Sequence, residues 1–300
     1  MTASLRLLPI LCLSLLALPA HAQQAYPTPE AAAEALVGAL GTEKADAARL
    51  ATVFGADWQQ YIPLDNVDRD DTDAFLARYR EKHVFEKSDA THAKLAVGKE
   101  GWVLPVPLVK GASGWAFDLK AGEPELRARR IGRNELDAVQ ASLAYVDAQD
   151  DYAGEDRDGD GVLEYAQKFV STDGQHDGLF WEAGDDEEQS PLGPLFGDDS
   201  PEGVWHGYHY RILTAQGTSA PRGAYDYRLG DNMSRGFALV AWPARYGDSG
   251  VMSFIVSHDG QVFEKDLGSG SDAVARAMAT FDPDSSWQEV TDTATAAASP

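Results

Sequence analysis

The stretch LDAVQASLAYVDAQDDYAGEDRDGDGVLEYAQKFV, Leu136 to Val170, decides how the second half of this chain folds. Leu136, Val139, Leu143 and Val146 recur at intervals of three, four and three, the signature of one buried face of an α-helix. That helix is expected to start near Pro124 and to run toward Tyr152 and Gly154. It hands over to Asp156-Arg157-Asp158-Gly159-Asp160-Gly161-Val162-Leu163-Glu164. Leu163, Ala166, Phe169 and Val170 predict a second helix after this loop. Helix, acidic loop, helix is the setting of a calcium loop.

The acidic loop itself reads D-x-D-x-D-G. Asp156, Asp158 and Asp160 fill its first, third and fifth positions, so three carboxylates can wrap one hard cation. Gly161, at the sixth, permits the sharp turn that brings the Val162 carbonyl round as a further ligand. Glu164 stands at the ninth, to bind directly or through water, and Gln167 takes the twelfth place, where a sensor loop has a bidentate glutamate. A neutral amide there removes one charge and one oxygen. The expectation is a weak, structural Ca2+ site.

Upstream, residues 27 to about 87 read as mainly helical. Thr28-Pro29-Glu30 is a helix start and Gly41 a stop; a short helix follows over Ala45–Phe54, and another over Asp71–Lys82 with Phe75, Leu76 and Tyr79 on one face. Lys94–Val97, Trp102–Val109 and Trp115–Leu119 form a β-meander, with Pro105 and Pro107 confining its middle segment to an edge or a non-ladder conformation. Downstream, Tyr208–Thr214, Phe237–Trp242, Val251–Ser257 and Gln261–Phe263 are strands, His258-Asp259-Gly260 a hairpin turn, and Ser271–Ala279 a helix capped by Ser271 or Asp272. The expected fold class is α+β. A small helical and β-meander module (27–122) precedes a long helix packed on an antiparallel sheet (123–290), and a disordered tail (291–300) follows.

Residues 1–22 read as a secretory signal peptide. Arg6 precedes an apolar run from Leu7 to Leu18, too short to span a bilayer, and Ala20-His21-Ala22 is a small-x-small cleavage site before Gln23. The expected location is periplasmic or secreted. Cys12, the one cysteine, lies in that run, so the remaining chain excludes disulfides, thiol catalysis and zinc–thiolate sites. The net charge of −23, or −24 once Arg6 is lost, argues against nucleic-acid partners.

Other candidate chemistry is sparse. Gly247-Asp248-Ser249-Gly250 matches the tetrapeptide around a trypsin-like nucleophile, but the upstream histidine and aspartate motifs are missing, and a turn is the better account. His206 and His209 are three apart, which on a strand points them to opposite faces. Asp185 to Glu188 is a solvated charge run that, with Asp198, Asp199 and Glu202, could hold a second cation loosely. Trp102, Trp115, Trp181, Trp205 and Trp242 read as core or as the wall of a ligand groove. No catalytic constellation is assembled, so no catalytic residue is assigned.

WVLPVPLVK (102–110), RRIGRNEL (129–136), YAGEDRDGDGVLEYAQ (152–167), HDGLFW (176–181), GFALVAWP (236–243), YGDSGVMSFIV (246–256) and KDLG (265–268) together resemble the domain-of-unknown-function family 2950. The resemblance covers nearly the whole chain after residue 22 and implies an exported bacterial protein; it supplies no activity. Residues 125–267 are more loosely similar to the globular heads of pilins and pseudopilins, without the N-terminal hydrophobic helix or the prepilin cleavage motif. The leading expectation is therefore a non-enzymatic binding or assembly factor whose partner is an envelope protein or polymer. One alternative is an envelope-polymer hydrolase drawing on Asp173, Asp177, Glu182 and His176 or His206. Another is a pilin-like interaction module.

Overall fold

The computed structural model describes residues 23–62, 69–183, 188–193 and 204–291. The expected leader, Asp185 to Glu187, Asp198, Asp199, Glu202 and the tail from 292 onward lie outside the described residues. The chain divides into two compact units, one ending at Leu126 and one beginning at Arg127.

In the first unit, α1 spans Pro29–Leu40. Its cap is the expected one, with Thr28 Oγ1 accepting the Ala31 N–H at 3.2 Å, and it ends at Gly41 with φ 62°. Asp46 caps α2 (Ala47–Phe54), and α3 runs over Arg69–Glu81. The antiparallel sheet holds β1 (His83–Lys87), β2 (His92–Val97), β3 (Trp102–Val103), β4 (Leu108–Gly111) and β5 (Gly114–Phe117). Its order is β1-β2-β4-β5, with β3 also on β2. Leu36, Leu50, Val53, Trp58, Leu108 and Phe117 form much of the core.

Two expectations are corrected here. The helical reading does not extend to residue 87, because His83 to Lys87 pair in register with Val97 to Ala93 of β2. The switch falls where His83 stacks on Tyr79 at 4.1 Å, just after α3 has ended. The β-branched and aromatic pair Val84-Phe85 then suits a ladder better than another helical turn. The Trp102–Val109 strand is really two, β3 and β4, separated by Pro105-Val106-Pro107, since proline has no N–H to give a ladder.

The long helix, α4, spans Leu119–Tyr152. It begins five residues before Pro124, because Asp118 Oδ1 accepts the Ala121 N–H at 2.9 Å and so serves as a cap. Pro124 lies inside and offers no N–H to the Lys120 carbonyl.

In the second unit, β6 (Val204–Trp205), β7 (Tyr208–Leu213), β10 (Ala238–Pro243), β11 (Met252–Ser257), β12 (Val262–Asp266) and β13 (Gln288–Glu289) form one sheet. Its order is β13-β12-β11-β10-β7-β6, antiparallel throughout. A separate ribbon pairs β8 (Ala215–Gln216) with β9 (Tyr225–Asp226). The predicted hairpin turn is present: Gly260 has φ 74° and Val256 faces Val262. Val139, Tyr145 and Val146 of α4 share a core with Phe237, Leu239 and Phe254. The buried Tyr145 hydroxyl donates to the Ala238 carbonyl at 3.3 Å. A long helix packed on an antiparallel sheet is thus the fold of this unit.

The short helix α5 is Ser271–Ala277. Gly270 precedes it, and neither Ser271 nor Asp272 caps it. Asp272 instead accepts from Trp242 Nε1 at 3.0 Å and Arg276 Nε at 2.8 Å, which takes its carboxylate away from the helix start.

The second helix predicted over Leu163 to Val170 does not form. Its backbone groups are claimed elsewhere. The Tyr165 N–H donates to the Met233 carbonyl (2.8 Å) and the Phe180 N–H to the Phe169 carbonyl (2.8 Å). Ala166 is bonded on both sides by the fully buried Gln149: its N–H donates to Oε1 and its carbonyl accepts from Nε2, each at 2.8 Å. One glutamine on α4 thus pairs with this segment as a neighbouring strand would. The acidic loop is followed by extended chain, not by the second helix of an EF-hand.

Candidate metal centre and the adjoining cleft

Of the sequence-predicted ligands, Asp156, Asp158 and Asp160 come together. Each offers a carboxylate oxygen, and these oxygens lie within 4.8 Å of one another on an exposed loop. Two carboxylate oxygens on one Ca2+ at ~2.3–2.6 Å cannot be much farther apart than that. The loop is wound by its own aspartates. Asp156 accepts the N–H groups of Gly159 and Gly161 (2.8 and 2.9 Å), Asp158 that of Asp160 (3.1 Å), and Asp160 that of Val162 (2.8 Å). Gly159 and Gly161 have φ 76° and 88°, the left-handed conformation that the sixth position was expected to require. The donors are all oxygen, which suits a hard cation.

Glu164 stands apart from that triad. Its Oε2 accepts the Met233 N–H at 3.2 Å. Burial first, then Asp158, hold its carboxyl above the ordinary glutamate range, against the Met233 N–H, which favours the ionised form. Val162 is part of the turn through its N–H, and its side chain is exposed. Gln167 is committed elsewhere, donating to the Asp231 carbonyl at 2.7 Å. Asn232 Nδ2 reaches Asp160 Oδ2 at 2.6 Å. The loop is therefore tied to the Asp231–Met233 segment, a partner with no local signal in the sequence.

Arg157, the loop's second residue, folds back. Its side chain is only 8% exposed, and its Nε donates to the Tyr152 carbonyl at the end of α4 (3.1 Å). A cation there complements the helix C-terminus. The guanidinium lies over the Tyr152 and Trp181 rings, 4.9 and 5.2 Å from their centroids, and pairs with Glu188 at 2.5 Å. Burial pushes the Tyr152 hydroxyl up to about 12. It stays protonated and donates to the His176 carbonyl at 3.0 Å.

Beside the loop lies an open cleft of about 740 Å3. Asp158 and Glu164 form one side; Tyr165, Lys168, His176 and Asp177 are among its other walls. Asp177 is pinned, accepting the Thr172 N–H (2.7 Å), the Thr172 hydroxyl (2.9 Å) and Lys168 Nζ (2.5 Å). Burial raises its carboxyl, but these donors outweigh it and hold Asp177 below the ordinary aspartate range. His206, Asp173 and Glu182 are not in the cleft walls. His206 sits in the β6–β7 turn with φ 50°, 3.4 Å from Asp137, while His209 lies on β7 against Trp242. Of the histidines and carboxylates named for a hydrolase, His176 and Asp177 share the cleft, and His206, Asp173 and Glu182 do not line it.

The remaining motif is a turn. Ser249 Oγ accepts the Arg245 N–H (2.9 Å) and donates to the Arg245 carbonyl (3.2 Å), and Asp248 pairs with Arg245 and Arg130.

Gln149 was missed in the sequence, although it continues the Leu136–Val146 stripe three residues on. A polar residue on a buried stripe is a signal that something must satisfy it.

Among the described residues no helix is long and apolar enough to cross a membrane. No curated protein and no solved structure matches the chain. A family model described as a protein of unknown function, DUF2950, matches residues 23–290, and the chain belongs to that family.

Proposed function

We propose that this chain is an exported, non-enzymatic binding or assembly factor of the cell envelope whose 156–160 loop holds one calcium ion as a structural clamp. The observation that carries the reading is the gathering of the Asp156, Asp158 and Asp160 oxygens within 4.8 Å of one another. Packed carboxylates repel, and a divalent cation relieves that repulsion. What the clamp joins differs from the first expectation. No second helix follows the loop; the ion would steady the loop at the end of α4, whose Asp160 bonds Asn232, while Glu164 bonds Met233 beside it. With Gln167 engaged by Asp231, affinity falls in the weak range of extracellular modules, roughly 10⁻⁴–10⁻³ M. The leader-like residues 1–22 and the acidic charge support export.

Calorimetry and thermal melts on chelator-treated protein test the clamp, beside an Asp158→Ala, Asp160→Ala variant. Wild type takes up one calcium and melts higher with it, and the variant does neither. Equal behaviour of the two proteins sinks the clamp.

The hydrolase alternative draws on the cleft, where His176 and Asp177 adjoin. Against it, Asp177 is held ionised by three donors and lacks the raised proton affinity of a general acid. Release of soluble fragments from envelope polymer by wild type, lost in Asp177→Asn with the fold intact, would favour this alternative.

A further inference from the structure

The cleft beside the loop has a wall composition with its own meaning. Small-molecule pockets of roughly 300–1,000 Å3 are mostly lined by apolar side chains. This one, at about 740 Å3, has no aliphatic residue in its lining, which is tyrosine, histidine, glutamine, glycine and charged groups. Its wall sets hydrogen-bonding groups beside aromatic carbon, a mixture that suits a polar ligand with some apolar surface.

The charges narrow the class. Both cations of the wall are already matched, Arg157 by Glu188 and Lys168 by Asp177, each at 2.5 Å. Asp158 belongs to the proposed ion site and Glu164 is itself acidic, so the wall offers an anion no unmatched cation. It also contains a flat platform. The His176 ring lies on the Trp181 indole, with centroids 4.1 Å apart and planes at 13°. One imidazole face is therefore covered; the side chain is 43% exposed, and its Nδ1 lies 3.8 Å from Glu188 Oε2. The platform is held rigidly: Tyr152 Oη bonds the His176 carbonyl (3.0 Å), and Trp181 Nε1 donates to the Glu188 carbonyl (2.9 Å). Preorganisation of this kind lowers the cost of binding. An aromatic face carries partial negative charge and suits the polarised C–H bonds of a sugar ring. The preferred platforms for a cation are Trp, Tyr and Phe.

We propose that this cleft binds a neutral saccharide, one pyranose ring stacking on the open face of His176 while Tyr165 and Gln175 meet its hydroxyls. The proposal deepens the reading of a non-enzymatic envelope binding factor, and it rests on that reading for the polymer being bound without being cleaved.

The test is calorimetry of the full chain after residue 22 with chitotetraose and cellotetraose, and with tetragalacturonate and tetralysine as charged counterparts. A neutral oligosaccharide binds and the charged probes do not. His176→Ala weakens binding about tenfold, the upper end of an aromatic stacking contribution, and His176→Phe, which keeps a ring on Trp181, retains it. Failure of both neutral probes, binding of a charged probe instead, or a His176→Ala variant that binds like wild type overturns the proposal. Fragments appearing during the titration would refute the non-enzymatic reading and leave the site standing. Calcium uptake by His176→Ala, measured separately, equals that of wild type, so a failed clamp and a failed saccharide site are told apart.

Discussion

Gln149 is the residue whose removal the structure makes most costly for its size. Its side chain is fully buried, and its amide satisfies both the N–H and the carbonyl of Ala166, itself buried. Its Nε2 also lies 2.9 Å from Tyr145 Oη. In Gln149→Leu the volume is nearly kept, but two backbone groups lose their partners where water cannot easily replace them. Each unsatisfied buried group costs about 1–3 kcal/mol, so the pair costs about 4 kcal/mol. For a unit of this length that lowers Tm by roughly 8–16 °C. Urea unfolding followed by circular dichroism measures it, with Gln140→Leu, an exposed position on the same helix, as the control. The control should change stability by less than about 0.5 kcal/mol. A Gln149→Leu variant within about 1 kcal/mol of wild type would refute the argument that this glutamine acts as a surrogate strand for the segment after the loop.

Three further outcomes follow from the same geometry. A methyl group at Gly250 would overlap the ring and hydroxyl of the buried Tyr208, which is held by the Met252 carbonyl, so Gly250→Ala costs about 1–3 kcal/mol in the same unfolding assay. Because the Glu164 carboxyl is raised in the fold, its protonation favours folding at low pH, and that contribution is lost as pH rises through the raised value. In chelator, Glu164→Gln should therefore melt above wild type at pH 7 and match it near pH 4, and equal melts at both pH values would contradict this. The Trp242 indole, more than Arg276, holds the Asp272 carboxyl below the usual range. Trp242→Phe should raise that carboxyl's titration midpoint in an NMR titration and remove part of the stability that wild type loses as pH falls through it.

The parts of the fold that were legible in the sequence are those set by neighbours in the chain. The Leu136–Val146 spacing found α4, His258-Asp259-Gly260 found the β11–β12 turn, and Thr28-Pro29 found the start of α1. What was not legible depended on groups far along the chain. Leu163, Ala166, Phe169 and Val170 have helical spacing, but Gln149 and Met233 occupy the backbone that a helix would need. Val84-Phe85 reads as strand only once β2 is placed beside it. Pro124 drew attention as a helix start, while the actual cap, Asp118, lies six residues earlier. The aspartate triad was legible because its ligands are adjacent in the chain. The ties of Asp160 and Glu164 to Asn232 and Met233 span about seventy residues and left no local trace.

The two sheets present very different borders to a passing strand. In the second unit the outermost strands, β13 and β6, are two residues each, and Glu289 of β13 already binds Gln261. Among the described residues such a border gives an incoming chain almost no ladder to extend, which blunts fibre-like addition. The first unit ends on β1, five residues long and largely exposed, with His83, Glu86 and Lys87 along it. Among the described residues, those ionisable side chains are what guards it. Any tendency of the protein to polymerise strand by strand should begin there, and neutralising Glu86 and Lys87 should be what releases it.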